Sequence, residues 1–162
     1  VEALLLSVHV LASIVFVGGS AVATSLFPRY APTVEAVPAA GPATAPSGSP
    51  PEASGERSRA VAVALHRITR GYSVFGVIVP AAGIALALAQ NRMGEIWITL
   101  AMILTAAAGA LLALQIYPRQ RDALAEPGDG ARLRTLSMLA GVYNLLWAIV
   151  VVLMIVRPGS DT

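Results

Sequence analysis

Four long apolar stretches alternate with polar segments of very unequal length. The first, Ala3–Phe27 (ALLLSVHVLASIVFVGGSAVATSLF), runs about 25 residues with no charged side chain apart from a proton that His9 could carry. At ~1.5 Å per residue, a helix of that length crosses a bilayer core of roughly 30 Å. Gly71–Gln90, Ile96–Tyr117 and Thr135–Val156 have the same character. The pattern predicts an all-α fold, a polytopic membrane protein in which four transmembrane helices form one antiparallel bundle. Ala21-Val22-Ala23 looks like a signal-peptidase site. Against cleavage, the start bears Glu2 rather than a basic region, and the apolar run exceeds the usual ~7–15 residues. The expectation is a retained span.

The connecting segments define the rest. Pro28-Arg29-Tyr30 supplies a helix breaker, a charge and an interfacial aromatic, and is expected to end the first span. Residues 31–56 are rich in Pro, Ala, Ser and Gly without hydrophobic period, and read as a linker or a loop ordered by a partner. From Arg57 to Arg70 the chain is basic and moderately amphipathic, an interfacial helix leading into the second span. Asn91–Glu95 is too short to let spans two and three be anything but antiparallel neighbours. Trp97 and Tyr117 bracket span three at its two interfaces. Pro118 allows a kink there, and Arg119–Glu126 adds helical turns beyond the membrane. Pro127-Gly128-Asp129-Gly130 is a turn, and Arg157-Pro158-Gly159 stops the last span.

In lipid, helices associate through close backbone approach and a few polar contacts. Each span should therefore carry a seam of small residues. Span two has Gly76, Pro80, Gly83 and Ala87 on one face, with Pro80 expected to bend it. Span four has Ser137, Gly141, Asn144 and Ala148, and span one has His9, Ser13, Phe16, Ser20 and Ala23 with Gly19 beside them. In span three Ala106, Gly109, Ala110 and Ala113 cluster.

Composition sharpens this reading. The chain is 56% hydrophobic and 12% charged, against about 25% charged in ordinary soluble domains. It has no Cys, which removes disulfides, thiolate metal sites and thiol redox chemistry. Nine of the 11 basic residues, all Arg, lie in the two long loops or the basic approach helix: Arg29, Arg57, Arg59, Arg67, Arg70, Arg119, Arg121, Arg132 and Arg134. Arg92 and Arg157 lie on the other side. The positive-inside rule predicts both termini outside and the long loops cytoplasmic. The basic balance points to anionic phospholipid rather than nucleic acid.

Candidate chemistry is sparse. His9 reads either as a haem or copper ligand or proton acceptor, or as a neutral imidazole bonded within the bundle. The only other histidine, His66, belongs to the opposite side, on the order of 25 Å away along the helix, so the two cannot share one metal. His66, Arg67 and Arg70 read as a phospholipid or quinone head-group grip, or as a solvated helix start. Asn144 reads as interhelical glue, and Trp97, Tyr117 and Tyr143 as anchors or packing. No Asp or Glu lies inside any span, and no catalytic or nucleotide-binding motif occurs. The expectation is a non-enzyme with no cofactor, haem or copper at His9 being the alternative.

His9-Val10-Leu11-Ala12-Ser13-Ile14-Val15-Phe16-Val17-Gly18-Gly19 resembles the first span of the copper-resistance-D-like bacterial membrane proteins and related families, with Phe16 where Trp is commoner. Arg67–Arg70 leading to Pro80-Ala81-Ala82-Gly83 is similar to their second span. The resemblance implies a four-span fold and a copper or haem contact at His9. The Met-rich surroundings and additional histidines expected of a copper importer are missing. The Arg-only basic set and Pro/Ala-rich loop resemble actinobacterial proteins, among which such four-span chains serve as accessory subunits of respiratory supercomplexes and lipid transporters. The leading expectation is a non-catalytic accessory subunit or assembly factor whose partners are other integral membrane subunits. A small-molecule transporter is the weaker alternative.

Overall fold

The computed structural model describes residues 2–33, 58–75, 95–128 and 130–159, with side chains from Val10 onward. Among the described residues all regular structure is helical. Helix α1 is Glu2–Tyr30, α2 covers 58–75, α3 is Ile96–Leu111, α4 is Tyr117–Ala125 and α5 is Gly130–Val156. A five-residue π turn, Leu112–Ile116, joins α3 to α4 without a break. Among the described residues three helical stretches are long and apolar enough to cross a membrane: Val10–Tyr30, Ile96–Ala125 and Gly130–Val156. The expected second span, 71–90, is described only to residue 75; Gly76, Pro80, Gly83 and Ala87 lie outside the described residues, as does loop 34–57.

The surface is inverted relative to a water-soluble protein. Leu11, Ile14, Val15, Ile103, Leu114, Leu145 and Ile155 are exposed, whereas Ser20, Thr24, Thr69, Thr105 and Gln120 are buried. Apolar side chains outside and small polar ones inside suit a lipid solvent. The hydroxyls do not compete with the helix. Thr24 donates to the carbonyls of Ser20 and Ala21 at 2.9 and 3.2 Å, and Thr69 to that of Leu65 at 3.0 Å.

Helix α5 is the common wall. It packs against both α1 and α3. Tyr143 and Trp147 fill the interior, with Phe16, Ala23, Phe27, Ala108, Leu112 and Ile116 in the same core cluster or packed on it. The Tyr143 hydroxyl donates to Ser20 Oγ at 2.8 Å, and Asn144 Nδ2 donates to Ser25 Oγ at 3.0 Å. Phe16 meets Trp147 edge-on at 5.8 Å, so α1 and α5 run in opposite directions. At the far end the Arg157 guanidinium lies 5.8 Å from the centre of the Trp97 ring, which sets α3 antiparallel to α5 as well. Helix α2 leans on α1 through Tyr72. Its ring packs edge-on against Phe16 at 5.2 Å and its hydroxyl donates to the Val15 carbonyl at 3.1 Å.

Several boundaries and faces differ from the pattern-based expectation. Pro28 does not end α1, which continues to Tyr30. A proline so close to the C-terminus costs a single backbone bond, and Ala31 N–H still closes onto Phe27 at 2.9 Å. The small-residue seam of α5 faces outward: Ser137, Gly141 and Ala148 are exposed, and Asn144 sits at the edge. Leu136, Ala140, Tyr143, Trp147 and Val150 turn inward instead. The aromatics supply more contact area than the small residues, and Tyr143 needs a hydroxyl partner that Ser20 provides. In α3 the buried positions are Ala101, Thr105 and Ala108, while Ala106 and Ala110 are exposed.

The glycine pair of α1 separates into two roles. A Cβ on Gly19 would stand 2.0 Å from the Tyr72 hydroxyl oxygen and 2.7 Å from Cζ, whereas one on Gly18 would meet nothing within 4 Å. Gly19→Ala therefore forces Tyr72 off α1 and should cost about 1–2 kcal/mol through the lost hydrogen bond and ring contact. Gly18→Ala should be neutral or stabilising by up to ~1 kcal/mol from helix propensity alone. Reversible unfolding of the two variants in mixed micelles checks the contrast.

Candidate functional site

The polar groups of the described residues concentrate at one end of the helices, where α1 finishes, α2 starts and α4 turns into α5. A backbone bridge between Thr33 and Gly128 ties the end of α1 to that turn. Arg29, Arg59, Arg67, Arg70, Arg119, Arg121, Arg132 and Arg134 are exposed at this end.

The site is built on Pro118. Inside a continuous helix its ring would press on the carbonyl four residues back, that of Leu114, and it has no N–H to donate. The chain relieves this by widening over Leu112–Ile116, where Tyr117 N–H reaches back five residues to the Leu112 carbonyl. Arg119 attends to the loosened backbone, donating from Nη1 to the Gln115 carbonyl at 3.2 Å and also to Gln115 Oε1. The wider turn brings Gln120 to a fully buried position and Tyr117 to a half-buried one, both toward α2.

His66 of α2 meets this pair. Its ring stacks on Tyr117, nearly parallel (8°) with centres 4.9 Å apart. Its Nδ1 lies 3.3 Å from Gln120 Oε1. A carboxamide oxygen only accepts, so Nδ1 carries the hydrogen and Nε2 keeps its lone pair. Gln120 Nε2 is buried and has no hydrogen-bond partner. Burial lowers the His66 pKa below its ordinary value of 6.5; the Gln120 bond opposes this, and the nearby Arg70 and Arg121 guanidiniums reinforce it. The neutral ring is the resident form, and the contact joins α2 to α4 rather than presenting a charge to solvent.

The expected head-group trio therefore splits. Arg67 and Arg70 are exposed and free to meet phosphate, while His66 turns inward. Gly19 receives Tyr72, and Gly141 has open space beside it. Asn144 bridges α5 to α1, with its Oδ1 buried and unpartnered. His9 lies on α1, and its side chain is outside the described residues. Met93 is outside them too, and Met102 is half-buried on α3. Among the described residues no three His, Cys, Asp or Glu side chains converge as a metal site. Tyr72 and Gln120 were not foreseen. A Gln two residues after a proline that follows an apolar run was the available signal for the second; nothing marked the first.

The His66 contact gives a pH dependence with a definite sign. The folded chain holds the ring neutral, so below pH 6.5 the unfolded chain binds more protons. The contribution is complete above that value and declines as pH falls through it toward the lowered folded pKa. Thermal stability of the wild type should fall between about pH 7.5 and 5.5, and the fall should be shallower in His66→Gln. A melting series of both proteins in one detergent reads the difference. Comparison of the chain with protein-family models, curated proteins and solved structures finds no match.

Proposed function

We propose that the chain is a non-catalytic, four-span accessory subunit or assembly factor of a larger bacterial inner-membrane complex, a respiratory supercomplex or a lipid transporter. The observation that carries this is the use of the polar groups within the spans. Tyr143 bonds Ser20, Asn144 bonds Ser25 and Tyr72 bonds the Val15 carbonyl, each joining one helix to another. Groups employed this way build a packing interior rather than a reaction chamber. On the outside, Ser137, Gly141 and Ala148 form a thin exposed strip on α5, the kind of surface that lets a neighbouring helix approach closely.

In this reading residues 71–90 complete an antiparallel bundle as the fourth span. The contact of Tyr72 with Phe16 and Val15 supports it, since it starts that segment along α1. The Arg-rich end is cytoplasmic by the nine-to-two distribution of the 11 basic residues, and both termini are outside. Arg67 and Arg70 contact anionic head groups there.

Capture of C-terminally tagged protein from mildly solubilised native membranes, followed by mass spectrometry and an absorption spectrum, tests the proposal. Other membrane subunits in fixed stoichiometry are expected, and Gly141→Leu should reduce their recovery by about 3- to 10-fold without lowering the melting temperature of the isolated chain. Protein that comes alone and carries a Soret band or bound copper overturns the reading in favour of a cofactor at His9.

A further inference from the structure

The corner between α4 and α5 forms a half-open cleft of about 380 Å3, its charged side chains exposed and Leu136 at its buried floor. That lies within the ~300–1,000 Å3 typical of small-ligand sites. Its wall carries both signs of charge, with Arg119 and Arg132 against Asp122 and Glu126, and Thr135 beside them. Asp122 is engaged by its exposed neighbour Arg121 at 3.4 Å. Among the described residues the side chains of Glu126 and Arg132 find no hydrogen-bond or ion-pair partner, although they line the same cleft. Opposite charges that share a cavity without closing on each other leave room for a ligand that carries both.

The two arginines are held in place without one. Arg119 is anchored from behind by Gln115. The stem of Arg132 lies along the turn, where a Cβ on Gly128 would stand 3.2 Å from its Cδ and 3.6 Å from Nε. Gly128 is itself fixed by the bridge to Thr33. The cavity also lies at a particular depth. Its α4 residues follow directly on the apolar run that ends at Tyr117, and Arg132 and Thr135 directly precede the apolar run of α5. That is the head-group level of a bilayer.

We propose that this cavity binds a zwitterionic phosphoester in which a phosphate is joined by a short link to a primary ammonium. Arg119 and Arg132 take the phosphate oxygens; Glu126, with Asp122, takes the ammonium. Guanidinium forks suit phosphate geometry. Carboxylates accept N–H bonds from a primary ammonium, whereas a quaternary one prefers aromatic faces, and among the described residues none lines this wall. A purely anionic head group would meet two carboxylates. An ethanolamine phospholipid and a free phosphoethanolamine ester share the required chemistry. The proposal does not depend on the accessory-subunit reading.

The test is native mass spectrometry of the full chain released from nanodiscs of equal parts ethanolamine, choline and glycerol phospholipid. Retention of the ethanolamine lipid over the other two by about 3- to 5-fold is expected. Glu126→Gln should erase the preference over the glycerol lipid while total retained lipid stays level, and Arg132→Gln should lower retention of all three. An unaltered melting temperature in both variants separates these effects from misfolding. Soluble glycerophosphoethanolamine then identifies the source: displacement supports a free ester, and no displacement supports the lipid. Equal retention of the three lipids by the wild type, or a preference that survives Glu126→Gln, overturns the proposal.

Discussion

The Tyr143 hydroxyl, sealed in the interior and bonded to Ser20 at 2.8 Å, is the contact on which the described arrangement depends. Lipid tails are as apolar as leucine, so apolar area alone does not bring helices together in a bilayer. A buried donor that finds its acceptor on another helix does, because the alternative is an unsatisfied group in hydrocarbon. Among the described residues Tyr143 also carries the largest fully buried side chain. It fixes how α5 is rotated about its axis, and Trp147 and Asn144 follow at the edges of the same face.

That rotation explains what the amino-acid pattern shows and what it hides. Length and apolarity identify α1, the continuous rod of α3 and α4, and α5 as helices able to span a membrane, and those properties depend on nothing beyond the segment itself. The inward face is another matter. Small residues are expected to face inward on every span; Ser20 and Ala23 on α1 are buried, whereas Gly141 on α5 is exposed. Small residues mark any surface where backbones approach, including one that meets a separate chain. Periodicity alone cannot tell an internal seam from an external one; the pairing of a tyrosine with a serine 123 positions away decides it.

The candidate site was legible only in part for a related reason. Arg67 and Arg70 stand out from sequence as a basic helix start, and they are exposed. His66 looks alike in sequence but is drawn inward by Tyr117 and Gln120, which lie more than fifty residues further on. The charged cavity between α4 and α5 needs the turn at Gly128 to bring Glu126 and Arg132 to one space. Local charge patterns give no account of such closure, because it is a property of the path of the backbone.

The π turn at Leu112–Ile116 has a consequence for the whole of that helix. It places one residue more in the turn than an α-helix would hold, so side chains beyond it are out of phase by about 100° with those before it. The apolar half of the rod and its polar extension are thereby oriented independently: α3 buries Ala101, Thr105 and Ala108, whereas the extension buries Gln120, which meets His66 of α2, and Ala123. A relative of this protein without the inserted residue would keep the same span but swing its extension about a quarter turn, carrying Gln120 away from His66. Insertion or loss of that single residue is thus a means by which evolution could re-aim the polar end while leaving the lipid-embedded part untouched.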